Sequence, residues 1–131
     1  MKHPDSESTV AVLDAMFAAF NRHDAATVVA LMTDDCLFET AAGSDVFGAR
    51  HVGREAVQAA FEQTWKTMPD VRWDDVRHFA CGNRAVSEWT FRATRPDGAR
   101  IEVQGCDLFT TIDGKVAKKQ AFRKERPALP A

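Results

Sequence analysis

The sequence predicts an α+β protein: a strongly curved, mainly antiparallel sheet with three helices on its concave side. Three observations carry this. The first half of the chain holds three segments whose apolar residues recur at helical spacing, with one short strand pattern among them. The second half holds four longer segments that read as strands. These are separated by compact turn signals, Gly82-Asn83, Pro96-Asp97-Gly98 and Asp113-Gly114.

In chain order, Ser6 or Ser8 is placed to cap a first helix that runs to about Arg22. Its apolar face is Val10, Leu13, Met16, Phe17 and Phe20. Asn21-Arg22-His23-Asp24 breaks it, and Asp24 caps a short second helix with Val28, Leu31 and Met32 inside. The short link predicts a helical hairpin. Cys36–Thr40 reads as a short strand, followed by a loop rich in Gly and small residues, AAGSDVFGARHVG. A third helix runs from Arg54 to about Lys66, with a stripe of Ala56, Val57, Ala60, Phe61 and Trp65, and Pro69 ends it. In VRWDDVRHFAC the apolar parity switches near Asp74-Asp75, which predicts a bulge. RAVSEWTFRATR alternates Trp89, Phe91 and Ala93 against Glu88, Thr90 and Arg92. ARIEVQGCDLFTTI and KVAKKQAFRKE flank the Asp113-Gly114 hairpin signal.

A chain of 131 residues is read as one domain over residues 1–131, with residues 1–7 and 126–131 as loose tails. A net charge of −2 gives no reason to expect nucleic acid as a partner. The basic residues near the end form a solvated face. Three widely spaced cysteines without a CxxC argue against a disulfide framework or a zinc site. The polar start MKHPDSEST and the lack of a long apolar run predict a cytoplasmic, reduced protein away from membranes. With nine Phe, three Trp and no Tyr, any mechanism that needs a phenol is excluded.

The residue that asks for an explanation is Asp107. It shares strand parity with Ile101, Val103 and Phe109, so a carboxylate stands on an apolar face. If that face lines a cavity, desolvation favours the protonated acid and allows proton exchange near neutrality. The alternative is a buried structural ion pair with a lysine or arginine. On the last strand Lys119, Ala121 and Arg123 share one parity.

The segments AAFNRHDAATVVALMTDDCLFE, VGREAVQAAF, SEWTFRATRPDG and GCDLFTTIDGKVAKKQAFRK resemble the SnoaL-like family of the nuclear-transport-factor-2-like (cystatin-like) superfamily, over nearly the whole chain. The resemblance implies a cone-shaped barrel, a deep pocket for a small molecule and a homodimer through the outer sheet face. Asp107 matches the pocket aspartate of ketosteroid isomerase and lies where SnoaL-like cyclases carry an acid/base residue. The same match turns the Lys119 and Arg123 parity toward the pocket, to pair with Asp107 or to hold an anionic substrate.

Departures from the relatives narrow the chemistry. The isomerase's general base falls at Thr40 and its tyrosine at Met16, which argues against steroid-type isomerisation. The Arg-x-Asp run of limonene-epoxide hydrolase reads Gly105-Cys106-Asp107 here, and the tyrosines of scytalone dehydratase have no counterpart. Met16, Phe20, Thr40, His51 and Trp65 are expected as substrate-binding residues. So are Trp89, Phe91, Val103 and Phe109, the aromatic ones suiting a flat or cyclic ligand. Lys119 and Arg123 join Asp107 as the catalytic set. His51 is expected in a loop at the pocket mouth, His78 as structural, and His3 and His23 at the surface. Glu39 is expected to be exposed, and Cys106 to face away from Asp107. No Gly-rich phosphate loop or metal-ligand cluster occurs, so no cofactor is implied. Two readings follow. One is a cofactor-free acid/base enzyme of cyclase, isomerase, dehydratase or hydrolase type on a small, partly apolar carbonyl compound. The other is a non-catalytic ligand-binding or accessory subunit docked on a larger enzyme.

Overall fold

The computed structural model of the protein describes residues 4–131. His3 lies outside the described residues. The elements follow the order α1 (Pro4–Asn21), α2 (Ala25–Ala30), β1 (Met32–Glu39), β2 (Arg50–Val52), α3 (Arg54–Thr67), β3 (Arg72–Cys81), β4 (Arg84–Thr94), β5 (Arg100–Ile112) and β6 (Lys115–Arg123). The protein is thus α+β, a six-stranded sheet with three helices.

The strand order is β2-β1-β6-β5-β4-β3, and every pairing is antiparallel except β1 with β6. Strands β2 and β3 are free edges, so strand pairing does not close a barrel. The inner face of β4 carries Ala85, Ser87, Trp89, Phe91 and Ala93, all buried. α1 packs on β3 and buries Leu13, Met16, Phe17 and Phe20. α3 packs on α2 and β1 through Val57, Phe61 and Trp65. The helical stripes and the inner strand parities therefore meet in one core.

Several boundaries differ from the sequence expectation, each for a local reason. Residues 4–7 belong to α1 rather than to a tail, so neither Ser6 nor Ser8 caps it. Instead the Ser6 hydroxyl accepts from the Gly82 amide at 2.8 Å, and Thr9 Oγ1 donates to the Gly82 carbonyl at 2.9 Å. These bonds tie the first turns of the helix to the β3–β4 turn. Asp24 does cap α2, accepting from the Thr27 amide at 3.1 Å. α2 stops at Ala30, because Met32 already pairs with Val116 of β6. β1 thus begins four residues earlier than Cys36 and ends before Thr40. The glycine-rich loop contains a short strand, β2, paired with β1 through Leu37–Val52, Phe38–His51 and Glu39–Arg50. The parity switch in β3 is an irregularity between Asp74 and Arg77, where Asp75 has φ 57°. Asp113 and Gly114 both have positive φ, as a two-residue hairpin turn with matching twist requires. The C-terminal segment is tied down as well: Arg100 and Leu129 exchange backbone hydrogen bonds at 2.8 and 2.7 Å.

Candidate ligand cavity with a buried lysine–aspartate pair

Three inner-face residues from adjacent strands form the polar centre. In the β4–β5–β6 register Trp89 lies opposite Gly105, Gly105 opposite Arg123, Asp107 opposite Ala121 and Phe109 opposite Lys119. Lys119 and Trp89 are therefore diagonal neighbours of Asp107, on its two flanking strands. Lys119 Nζ donates to Asp107 Oδ1 at 2.7 Å, and Trp89 Nε1 donates to Oδ2 at 2.9 Å. Asp107 is fully buried and Lys119 is 2 % exposed. Each carboxylate oxygen thus has one strong donor, the condition under which a buried charge pair holds together.

Gly105 makes this reach possible. A Cβ at Gly105 would stand 2.6 and 2.7 Å from two indole carbons of Trp89 and would overlap the Phe122 carbonyl oxygen. With hydrogen alone there, the indole lies across β5 and brings its N–H to Asp107. The Lys119 ammonium is enclosed by aromatic faces, with Phe38, Phe20 and Phe61 centroids at 4.7, 5.5 and 5.9 Å. These contacts favour the cation while excluding water.

Lys119 lines a cavity of about 340 Å³ between α3, β1 and the inner sheet face. Its other walls include Phe38, Phe61, Trp73, Trp89, Phe91 and Met68, with Thr40, His51, Gln63, Thr64 and Arg123 supplying polar groups. Of the expected binding residues, Thr40, His51, Trp89 and Phe91 line this space. Met16, Phe20 and Phe109 are fully buried core side chains that do not line it. Trp65 turns away and stacks on His23 at 4.9 Å, and Val103 lines a separate groove near the C-terminal segment. Asp107 is also absent from the lining. The structure places it behind Lys119, with its two carboxylate oxygens bonded to the Lys119 ammonium and the Trp89 indole. Arg123, exposed at the mouth, sets its guanidinium 4.6 Å over the Phe91 ring. Desolvation by the protein atoms around it pulls the guanidinium pKa down, and the charge of Asp107 opposes this. His51 stands beside Phe38, ring centroids 5.9 Å apart.

Other polar residues take places that parity alone did not give. His78 points inward, with Nδ1 2.7 Å from Ser87 Oγ and Nε2 3.2 Å from Asp14 Oδ1. Burial lowers its pKa against the pull of Asp14. Ser87 sits directly across from Asp107 in the sheet but is fully buried, so Asp14, His78 and Ser87 form a structural link, with no nucleophile open to a ligand. Glu39 is 5 % exposed, contrary to the exposed position expected. It accepts from Arg50 at 2.6 Å and from Gln120 at 2.9 Å, and the Arg50 bond holds its carboxyl below the usual range. His23 is half-buried instead of on the surface, bonded to the Val71 carbonyl at 2.7 Å. Cys106 lines an outer-face hollow of about 640 Å³ with Arg77, Glu88 and Phe122, and desolvation raises its thiol pKa. Among the described residues no cluster of three or more His, Cys, Asp or Glu could hold a metal ion. No helix there is long and apolar enough to cross a membrane.

This arrangement matches known folds. A candidate polyketide cyclase from Xanthomonas campestris pv. campestris superimposes with TM-score 0.82 at 18% identity, covering 92% of this chain and 93% of that one. Bal32a, from a soil-derived mobile gene cassette, gives TM-score 0.82 at 22% identity, with 92% of each chain covered. An NTF2-like protein of unknown function from Mesorhizobium loti gives TM-score 0.76 at 27% identity, covering 95% and 98%. No curated protein matches by sequence. A SnoaL-like domain matches residues 13–119, which include β1, α3, most of the sheet and Lys119 itself. The chain belongs to the SnoaL-like domain family.

Proposed function

We propose that the cavity binds a small, partly apolar carbonyl compound and that the protein acts on it by cofactor-free acid/base chemistry of cyclase, isomerase, lyase or hydrolase type. The single observation that carries this reading is a lysine ammonium held by a buried carboxylate at the wall of an aromatic cavity of small-molecule size. A hydrogen-bond donor fixed before the ligand arrives, in a site with little water, stabilises negative charge that develops on a carbonyl oxygen. Asp107 keeps the Lys119 ammonium aimed, and His51 is the histidine that lines the cavity. Two structural relatives are candidate polyketide cyclases, a description that suits this reading.

Thermal-shift screening against small ketones, lactones, epoxides and carboxylic acids tests it. Wild type is compared with the charge-free double variant Asp107→Asn/Lys119→Met. A class that stabilises wild type but not the variant supports the cavity. Faster exchange of the α-protons of a bound ketone into D₂O, followed by proton NMR, supports the chemistry. If the panel leaves wild type unshifted, the cavity reading fails.

A second surface has its own observation. On the outer sheet face Phe79 and Phe122 are each about half exposed, with Val86, Cys106 and Leu108 between them. We propose that a second copy of this chain covers this face, forming a homodimer with the cavities on its outer sides.

A further inference from the structure

We infer that the cavity selects an organic monoanion, a flat molecule whose carboxylate is bound between the Lys119 ammonium and the Arg123 guanidinium; this rests on the small-molecule reading of the same cavity.

Charge is the first ground. Among the described residues lining the cavity none is Asp or Glu, while Lys119 and Arg123 both line it. Asp107, behind the wall, neutralises Lys119 through the 2.7 Å ion pair. Two cations against one carboxylate leave one positive charge at the cavity. Of the carboxylates near the mouth, Glu39 is engaged by Arg50 and Gln120 and Glu102 by Arg92, while Glu125 lines the neighbouring groove with Arg123. Among the described residues no carboxylate lies within ion-pair distance of Arg123.

Placement is the second ground. The Arg123 guanidinium carbon lies 4.6 Å from the Phe91 ring centroid, and among the described residues no protein acceptor is hydrogen-bonded to its N–H groups. A guanidinium edge matches the two oxygens of a carboxylate, and charge-assisted bonds of this type are strong where water is reduced. Lys119 has three ammonium hydrogens, and Asp107 takes one. Its remaining contacts are aromatic faces, so a hydrogen remains for a ligand oxygen.

Shape is the third. Phe38 and Phe61 lie within 13° of parallel at 4.9 Å, and Trp73, Trp89 and Phe91 line the remainder. A cavity of about 340 Å³ walled by rings suits one or two fused rings bearing a single acid group. A dianion would exceed the available charge, and a purely apolar molecule would leave the Arg123 edge desolvated without an acceptor.

Isothermal titration calorimetry with matched pairs tests this: benzoate against benzamide and 2-naphthoate against 2-naphthamide, with acetophenone as a neutral carbonyl probe. The expected result for wild type is that each carboxylate binds about tenfold or more tighter than its amide. In Arg123→Met the preference should collapse toward unity, and Arg123→Lys should recover part of it. Because Arg123 is at the exposed mouth, these variants should fold, checked by an unchanged circular dichroism spectrum. If carboxylate and amide bind wild type equally, or if Arg123→Met keeps the full preference, the inference is overturned. If acetophenone binds and no carboxylate does, the inference falls while the cavity reading stands. If none of the five binds, both fall.

Discussion

Removing one member of the Asp107–Lys119 pair should be far more damaging than removing both. In Lys119→Met a fully buried carboxylate keeps only the Trp89 N–H as donor. Breaking a buried pair on one side costs about 3–5 kcal/mol, and the remaining indole bond offsets part of that, so a loss of about 2–4 kcal/mol is expected. In Asp107→Leu both the ammonium and the indole N–H lose their acceptor, and the loss should be at least as large. The double variant Asp107→Asn/Lys119→Met carries no charge, and its amide oxygen can still accept from Trp89. Its loss should be about 1 kcal/mol. A cycle of Asp107→Asn, Lys119→Met and the double variant should therefore give a coupling energy of at least about 2 kcal/mol. Urea denaturation followed by circular dichroism measures all three. Additivity within about 0.5 kcal/mol would show that the pair is not desolvated as described, and the positioning role of Asp107 would go with it.

Other expectations follow from the same contacts. Gly105→Ala should push the indole off β5 and destabilise by about 1–3 kcal/mol, with a change in Trp fluorescence, since the new Cβ overlaps both Trp89 and the Phe122 carbonyl. His78 has a folded pKa below its unfolded value because burial disfavours its cation. As pH falls below about 6.5 the unfolded chain takes up a proton that the native ring resists, so stability declines toward the folded pKa. Urea midpoints at pH 7.5 and 5.5 should show this decline in wild type and a smaller one in His78→Gln. Carboxylates such as Glu39, whose pKa is lowered, lose stabilisation only at more acidic pH. Phe122→Glu on the outer face should convert a dimer to a monomer in sedimentation velocity while leaving the cavity ligands bound; an unchanged mass would refute that interface.

Much of this was legible in the residues because strand parity and helical period are local. The apolar parity of Asp107 follows from alternation, and the turn at Asp113-Gly114 from its residue pair, whereas the inward direction of Lys119 and Arg123 came from the family resemblance, since the register of β6 shifts near its start. What was not legible depended on distant partners. Met32 looks like the end of a helix; it opens a strand instead because Val116 of β6, some eighty residues later, pairs with it in parallel. Glu39 looks solvent-bound until Arg50 and Gln120 are brought beside it. Parity places a side chain on a face but does not say how deep it lies. Asp107 is therefore on the expected wall yet behind Lys119, and Met16, Phe20 and Phe109 fill the core beneath the cavity. The indole bond of Trp89 had one local signal, the glycine at 105 directly across from it.

The position of β6 also has a consequence for synthesis. This last strand is the joint between β1–β2 and the β3–β5 meander. A nascent chain that has not yet released residues 115–123 from the ribosome can form the hairpins of the meander. It cannot unite the two parts of the sheet, and Asp107 has no cation beside it. Assembly of the sheet and completion of the cavity wall thus coincide in one late, long-range event, and a chain interrupted at the Asp113-Gly114 turn would present two exposed strand edges to its neighbours.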